Sequence, residues 1–300
     1  MTVPYQRAYR YSKTRKYKID NWYLSRKYDG IRCYYDRSKD LMLFRSGRTI
    51  VRMGHLHDYM RNTCDKFSLK AIDGELYVPG LKYREIASLV NGQRKITDEM
   101  KRSIKLSIFA VRNDGPEFTT PQMIDVMNSL PESEHIIIVE NELIANDSVV
   151  IENRGKELQS QGWEGVVLRH PTISYEEGGS HKLVKLVVYH QGIYKIVGFT
   201  EGTRSYSGSL GALLIQGEGL NDELVRIPIK SRVSSGLKKS ERKQIWDNKQ
   251  DYLGVAVNVH YQKAQDARLD EDGFGSLRFP KYKGMLKECK LIQFDECNFT

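Results

Sequence analysis

The chain has 300 residues, 40% of them hydrophobic and 28% charged, with a mean hydropathy of −0.54. That length is generous for one hydrophobic core and comfortable for two. No run approaches the roughly 20 apolar residues needed to cross a bilayer, and the basic, aromatic start, Met1 to Lys18, lacks the apolar centre of a secretory signal, so a soluble, cytoplasmic protein is expected. Lys and Arg outnumber Asp and Glu 47 to 38, a net charge of +9 that favours a polyanionic partner such as nucleic acid.

Along the chain, Arg7 to Lys18, with Tyr9, Tyr11 and Tyr17 interleaved, reads either as a segment lying along nucleic acid or as a charged arm. Residues 21–80 read as strands (Arg32–Tyr35, Leu41–Phe44, Ile72–Val78) punctuated at Asp29-Gly30, Ser46-Gly47 and Asp73-Gly74, with a helix over His55–Cys64. A second helix is expected over Tyr83–Gly92 and an apolar strand over Ile104–Val111. Helical patterns cover Pro121–Leu130 and Val149–Gly162, the latter after an Asn146-Asp147-Ser148 cap, and Trp163–His170 is again a strand. The pattern changes near Tyr189. Beyond it short strands recur, Tyr194–Phe199, Ala212–Gln216, Leu224–Ile229 and Val255–Tyr261, interrupted by one helix, Lys239–Trp246. That is the signature of a small β-barrel, OB-like or SH3-like. The cysteines (Cys33, Cys64, Cys289, Cys297) show no metal-binding spacing and read as reduced thiols.

The chemistry centres on Lys27-Tyr28-Asp29-Gly30-Ile31-Arg32. A lysine acts as a covalent nucleophile only when its amine is deprotonated, which requires a metal, other cations or an apolar wall beside it. The Asp29-Gly30 turn can present Lys27 at a site edge, with Arg32 in reach of a sugar or phosphate. Phe44-Arg45-Ser46-Gly47, Asp73-Gly74-Glu75-Leu76 and Glu164-Gly165-Val166-Val167-Leu168-Arg169 add two arginines and three carboxylates; each alone reads more often as a turn, a strand-end acid or a solvated charge.

In this order and spacing the four segments resemble the signature motifs of the covalent nucleotidyltransferase superfamily, and the chain is similar to compact bacterial and phage ATP-dependent DNA ligases. The likeness continues through Gly198–Gly202, Ser209–Ala212, Ser234–Leu237 and Ser276–Pro280. It implies an α+β fold: a nucleotidyltransferase (adenylation) domain of antiparallel sheets flanked by helices over 1–189, then an OB-fold barrel over 190–300. It further implies a monomer that uses ATP and Mg²⁺ to seal nicked duplex DNA, with no membrane partner. Lys27 would carry AMP, and Arg32 and Lys185 would assist it. Glu164 and Glu75 would take the metal, with Glu75 also near the ribose. Arg45 would meet phosphate, and Phe109 would either stack on adenine or serve as a core aromatic. The missing zinc-type cysteines and long C-terminal extension argue against the NAD-dependent relatives.

Two departures stand out. Where the family carries a second lysine after Lys185, this chain has Val187, and Lys182, at an odd offset, falls on the opposite strand face. After Pro280 the closing basic motif is indistinct, leaving Lys281, Lys283 or Lys287 to serve. An RNA ligase, a capping-type guanylyltransferase and a nucleic-acid-binding variant with weakened catalysis stay open as alternatives.

Overall fold

The computed structural model describes residues 3–81, 83–91, 97–221, 225–265 and 272–286, apart from the Arg84 side chain. Lys287, Cys289 and Cys297 lie outside the described residues. The chain divides into two compact units, Met1–Val187 and the part from Val188 onward.

In chain order the first unit comprises β1 (Gln6–Arg10), β2 (Asn21–Lys27), β3 (Ile31–Asp36), β4 (Leu41–Phe44), α1 (Gly54–Phe67), β5 (Leu69–Tyr77), α2 (Tyr83–Asn91) and α3 (Asp98–Arg102). It continues with β6 (Lys105–Asn113), α4 (Thr120–Asn128), β7 (Ile136–Ile138), β8 (Glu142–Ala145), α5 (Ser148–Ser160), β9 (Gly165–Arg169) and β10 (Gly178–Leu186). Two five-stranded sheets result, ordered β1-β10-β9-β2-β8 and β4-β3-β5-β6-β7.

Local sequence explains the elements. In β2 the alternation buries Trp22 and Leu24, which pack with Ile151 and Leu158 of α5 and with Val166, Leu168 and Val184 in one core. Asp147 caps α5 by accepting from the amides of Val149 and Val150, and Thr119 with Gln122 forms a capping box on α4. β5, flanked by β3 and β6, buries Leu69, Ala71, Ile72, Asp73, Gly74 and Leu76, which erases the period-two signal expected of a half-exposed strand.

Two expectations need correction. The sheets are mostly but not wholly antiparallel: β1 runs parallel to β10, and β7 parallel to β6, the latter across the α4 crossover. The start of the basic segment is also not an arm, because Gln6–Arg10 is an edge strand of the first sheet. Its pairing partner lies far along the sequence, beyond the reach of any local pattern.

The second unit contains β11 (His190–Glu201), β12 (Leu210–Leu220), β13 (Arg226–Val233), α6 (Lys239–Asp247), α7 (Lys249–Tyr252), β14 (Ala256–Tyr261), β15 (Lys263–Gln265), β16 (Ser276–Arg278) and β17 (Lys281–Met285). Five strands form a sheet ordered β13-β12-β11-β14-β17, around a core that includes Tyr194, Ile196, Leu213, Ile215, Val257 and Val259. An isolated parallel bridge joins Ser235, just past β13, to Lys281 of β17. The expected barrel is therefore not drawn as a closed ladder among the described residues.

No helix among the described residues is long and apolar enough to cross a membrane.

Candidate active site

The site forms where the two sheets of the first unit face each other. Lys27 is the last residue of β2, and its register partner in the neighbouring antiparallel strand is Gly165, the first residue of β9. That pairing sets Glu164 beside Lys27, and the Lys27 Nζ ion-pairs with the Glu164 carboxylate; both side chains are largely buried. Gly165 has φ +151°, and a Cβ there would collide with the Leu186 carbonyl at the end of β10. Gly30, in the turn after Lys27, has no room either, since a Cβ would strike the Leu76 carbonyl of β5. The two motif glycines thus let three strand ends approach closely around the lysine.

β3 and β5 supply the facing wall. Arg32 pairs with Glu75 in register, and Arg32 Nε donates to Asp73 Oδ1 at 2.9 Å while its Nη2 donates to Asp73 Oδ2. Burial works against the Arg32 charge, but the Asp73 carboxylate holds its guanidinium above the ordinary value. The guanidinium lies between two rings, 4.5 Å from the Tyr5 centroid and 5.3 Å from that of Phe109. Burial pushes the Glu75 carboxyl up to about 7; Lys27 and Arg32 pull it down, and Glu164 and Asp73 add to the rise.

Between these walls lies a cavity of about 840 Å³, whose lining includes Lys27, Arg32, Arg45, Glu75, Phe109 and Lys185. Six of the seven expected site residues therefore meet there. Glu164 is outside the lining but ion-pairs with Lys27, which lines the cavity. Lys185 is one of the exposed residues of β10, and its amine is pulled below the usual lysine value by lost solvation and then by the Lys27 charge. Leu183 and Lys185 line the cavity while Lys182, on the alternate face, does not, and Val187 lies just past the end of β10. Among the described residues, the lysines lining the cavity are Lys27 and Lys185. Lys281 and Lys283 belong to β17 of the second unit.

Several lining residues had escaped notice. Arg169 is 6% exposed, donating from Nη1 to Gln6 Oε1 at 2.9 Å and from Nη2 to the Phe109 carbonyl at 3.4 Å. Burial lowers it to about 10, with Tyr175 and Asp73 opposing. Its position at the end of the Glu164–Arg169 run was the available signal. Tyr5, Gln6 and Tyr175 carried none. Arg48 also lines the cavity, resting on the Phe44 ring and donating to Asn91 Oδ1 at 3.3 Å. Arg45, Arg48, Arg169 and Lys185 form no ion pair among the described residues. A cavity with surplus cations, an aromatic wall and a lysine–carboxylate pair can hold a polyphosphate and expose an amine to it.

Comparison with known proteins agrees with this geometry. The family model described as "ATP dependent DNA ligase domain" matches residues 6–186. A DNA ligase of Haemophilus influenzae is 24% identical over 196 residues, spanning 65% of this chain and 68% of its own. Among solved structures, one named Pmar-Lig_PreS3 superposes with a TM-score of 0.76 at 21% identity, covering 94% of this chain and 67% of that one. Another, from a structure–function study of Lig E DNA ligases, gives a TM-score of 0.67 at 20% identity over 95% of this chain and 100% of that one.

Proposed function

The chain belongs to the ATP-dependent DNA ligase domain family, and from that premise we propose that Lys27 is its covalent nucleophile in sealing 5′-phosphate/3′-hydroxyl nicks. The observation that carries this reading is the Lys27–Glu164 ion pair, whose lysine lines a cavity bordered by further cations. The carboxylate can take the proton that the ammonium must lose before it attacks. The Lys27 nitrogen then bonds to the α-phosphorus of ATP as the bond to the pyrophosphate oxygen breaks. A 5′-phosphate oxygen at the nick next attacks the same phosphorus, the P–N bond breaks, and Lys27 recovers its proton. In the last step the 3′-hydroxyl attacks the 5′-phosphorus and AMP departs.

The residues present fit ATP. The cavity is of ligand size, and Arg45, Arg48, Lys185 and Arg169, none of them in an ion pair among the described residues, bring positive charge for its phosphates, with Arg32 fixed among them. Phe109 and Tyr5 offer ring faces, although Arg32 already lies against both. Glu75, in the cavity lining, would hold Mg²⁺, and Glu164 would join it once released from Lys27; the ion needs only one or two protein carboxylates when phosphates and water complete its shell. The ion would neutralise phosphate charge during transfer.

For the second unit we infer an OB-type barrel, and the domain division at 189/190 with it. The strand order, α6 between the third and fourth strands, and the Ser235–Lys281 bridge support that reading.

The test is incubation with α-³²P-labelled ATP or GTP and Mg²⁺, followed by a denaturing gel, for the wild type and Lys27→Ala. Acid-labile label from ATP that vanishes in Lys27→Ala is expected. Label from GTP alone would overturn the DNA ligase reading in favour of capping chemistry.

A further inference from the structure

The Tyr175 hydroxyl closes a ring of hydrogen bonds beneath the cavity. The Gln6 amide donates to it at 3.1 Å, and it donates in turn to Asp73 Oδ2. Asp73 accepts the Arg32 fork, and Arg32 Nη1 returns to the Gln6 carbonyl at 2.8 Å. Both backbone groups of one residue of β1 are thereby tied, through three side chains, to β3, β5 and the loop between β9 and β10.

The ring sits on a rigid base. The Thr120 hydroxyl at the start of α4 donates to the His170 carbonyl at 2.8 Å, and Ser174 bridges to Thr119, so the loop carrying Tyr175 is pinned on both sides. Tyr175 is 6% exposed, with the Arg112 guanidinium 4.7 Å from its ring centroid. Asp73 is fully buried, and an incompletely bonded carboxylate there would be costly.

Arg32 has five N–H groups. Three are engaged by Asp73 and the Gln6 carbonyl, which leaves two for the cavity that Arg32 lines. Their direction is set by the carboxylate plane, and Tyr175 holds one oxygen of that plane.

We propose that Tyr175 is a positioning residue for ligation: its hydroxyl fixes Asp73 and, through it, aims the two remaining Arg32 N–H groups at phosphate. This rests on the reading of the cavity as a site of phosphoryl transfer to Lys27. Tyr175→Phe keeps the ring and its contact with Arg112 while deleting the oxygen. Asp73 then loses a donor, the fork can turn, and alignment suffers more than binding does.

The experiment uses the full chain and single-turnover formation of lysyl-AMP from labelled ATP, together with sealing of a nicked duplex by pre-adenylated enzyme. Tyr175→Phe should slow at least one of these steps about 10- to 100-fold, with the apparent KM for ATP moved less than about threefold. Within an Arg32→Lys background the same change should cost nothing further. Wild-type rates in both steps, whatever the change in melting temperature, would overturn the proposal, as would a full additive loss in the Arg32→Lys background. Should Tyr175→Phe not yield folded protein, Asp73→Asn breaks the same ring and is judged by the same rates. Absence of Lys27-dependent label in the wild type would sink the functional reading itself and the proposal with it. Normal label in the wild type and unaltered rates in Tyr175→Phe would sink the proposal alone.

Discussion

The Lys27 ammonium and the Glu164 carboxylate meet across paired strands although 137 residues separate them in the chain. Their register, Lys27 opposite Gly165, is fixed by the burial of Trp22, Leu24, Val166 and Leu168 on one sheet face. A one-residue slip would expose that core, so packing and chemistry are set by the same alignment.

Replacing Glu164 with Gln should therefore slow lysyl-AMP formation about 100-fold or more while leaving the fold intact, because the amine loses its proton acceptor. Rapid-quench measurement of the first labelled turnover checks this. A Glu164→Gln enzyme that adenylates at the wild-type rate would assign the proton transfer elsewhere.

Glu75 makes stability depend on pH. Its folded-state value of about 7 lies above the ordinary carboxylate value of 4.5, so between these limits the folded chain holds more protons than the unfolded one. Stability contributed by the protonated group is present below about pH 4.5 and is lost as pH rises through about 7. Glu75→Gln should remove that slope, gaining about 2 kcal/mol over wild type at pH 8 relative to pH 4.5 after allowance for partial solvent exposure. Urea melts of both proteins across that range measure it, and parallel slopes would contradict it.

Gly165→Ala should destabilise the first unit by about 1–3 kcal/mol, from the positive φ and the collision with the Leu186 carbonyl together. Because Gly165 is paired with Lys27, activity should fall further than the lost fraction of folded protein. Thermal melts alongside the labelling assay separate the two effects.

Val187→Lys places a cation two residues beyond Lys185, just past the end of β10. Lysyl-AMP formation should rise about tenfold if the site lacks phosphate-stabilising charge. An unchanged or slower rate would show that Arg45, Arg48 and Arg169 already meet that need.

The core of the first sheet offers a control without chemistry. Trp22 is fully buried, and Trp22→Ala should cost about 3–5 kcal/mol. Differential scanning calorimetry should show the drop.

Motif residues were legible because each combines a charged group with a glycine that a close backbone approach demands, as at Gly30 and Gly165. Helices with strong caps, such as α5 after Asp147, were legible too. β1 was not, since among the described residues it pairs only with β10 and that pairing spans most of the unit. The apolar strand expected over Ile104–Val111 is β6, which continues to Asn113 and carries Phe109 in its interior. Arg169 was read as part of a motif without a role, because nothing local reveals that a strand-end arginine will be buried against Gln6.

The pairing of β1 with β10 has a consequence for biosynthesis. Tyr5 to Tyr9, which line the cavity, are made long before their partner strand, which ends at Leu186. While the ribosome extends the chain, that strand has no edge to join and the cavity lacks a wall. Ligand capture by the nascent chain must wait until nearly the whole first unit has emerged, and contacts this distant in sequence form slowly. Substitutions that weaken the edge of β1 would burden that late docking step, and with it the acquisition of activity, before they disturbed the folding of the β3–β5–β6 sheet.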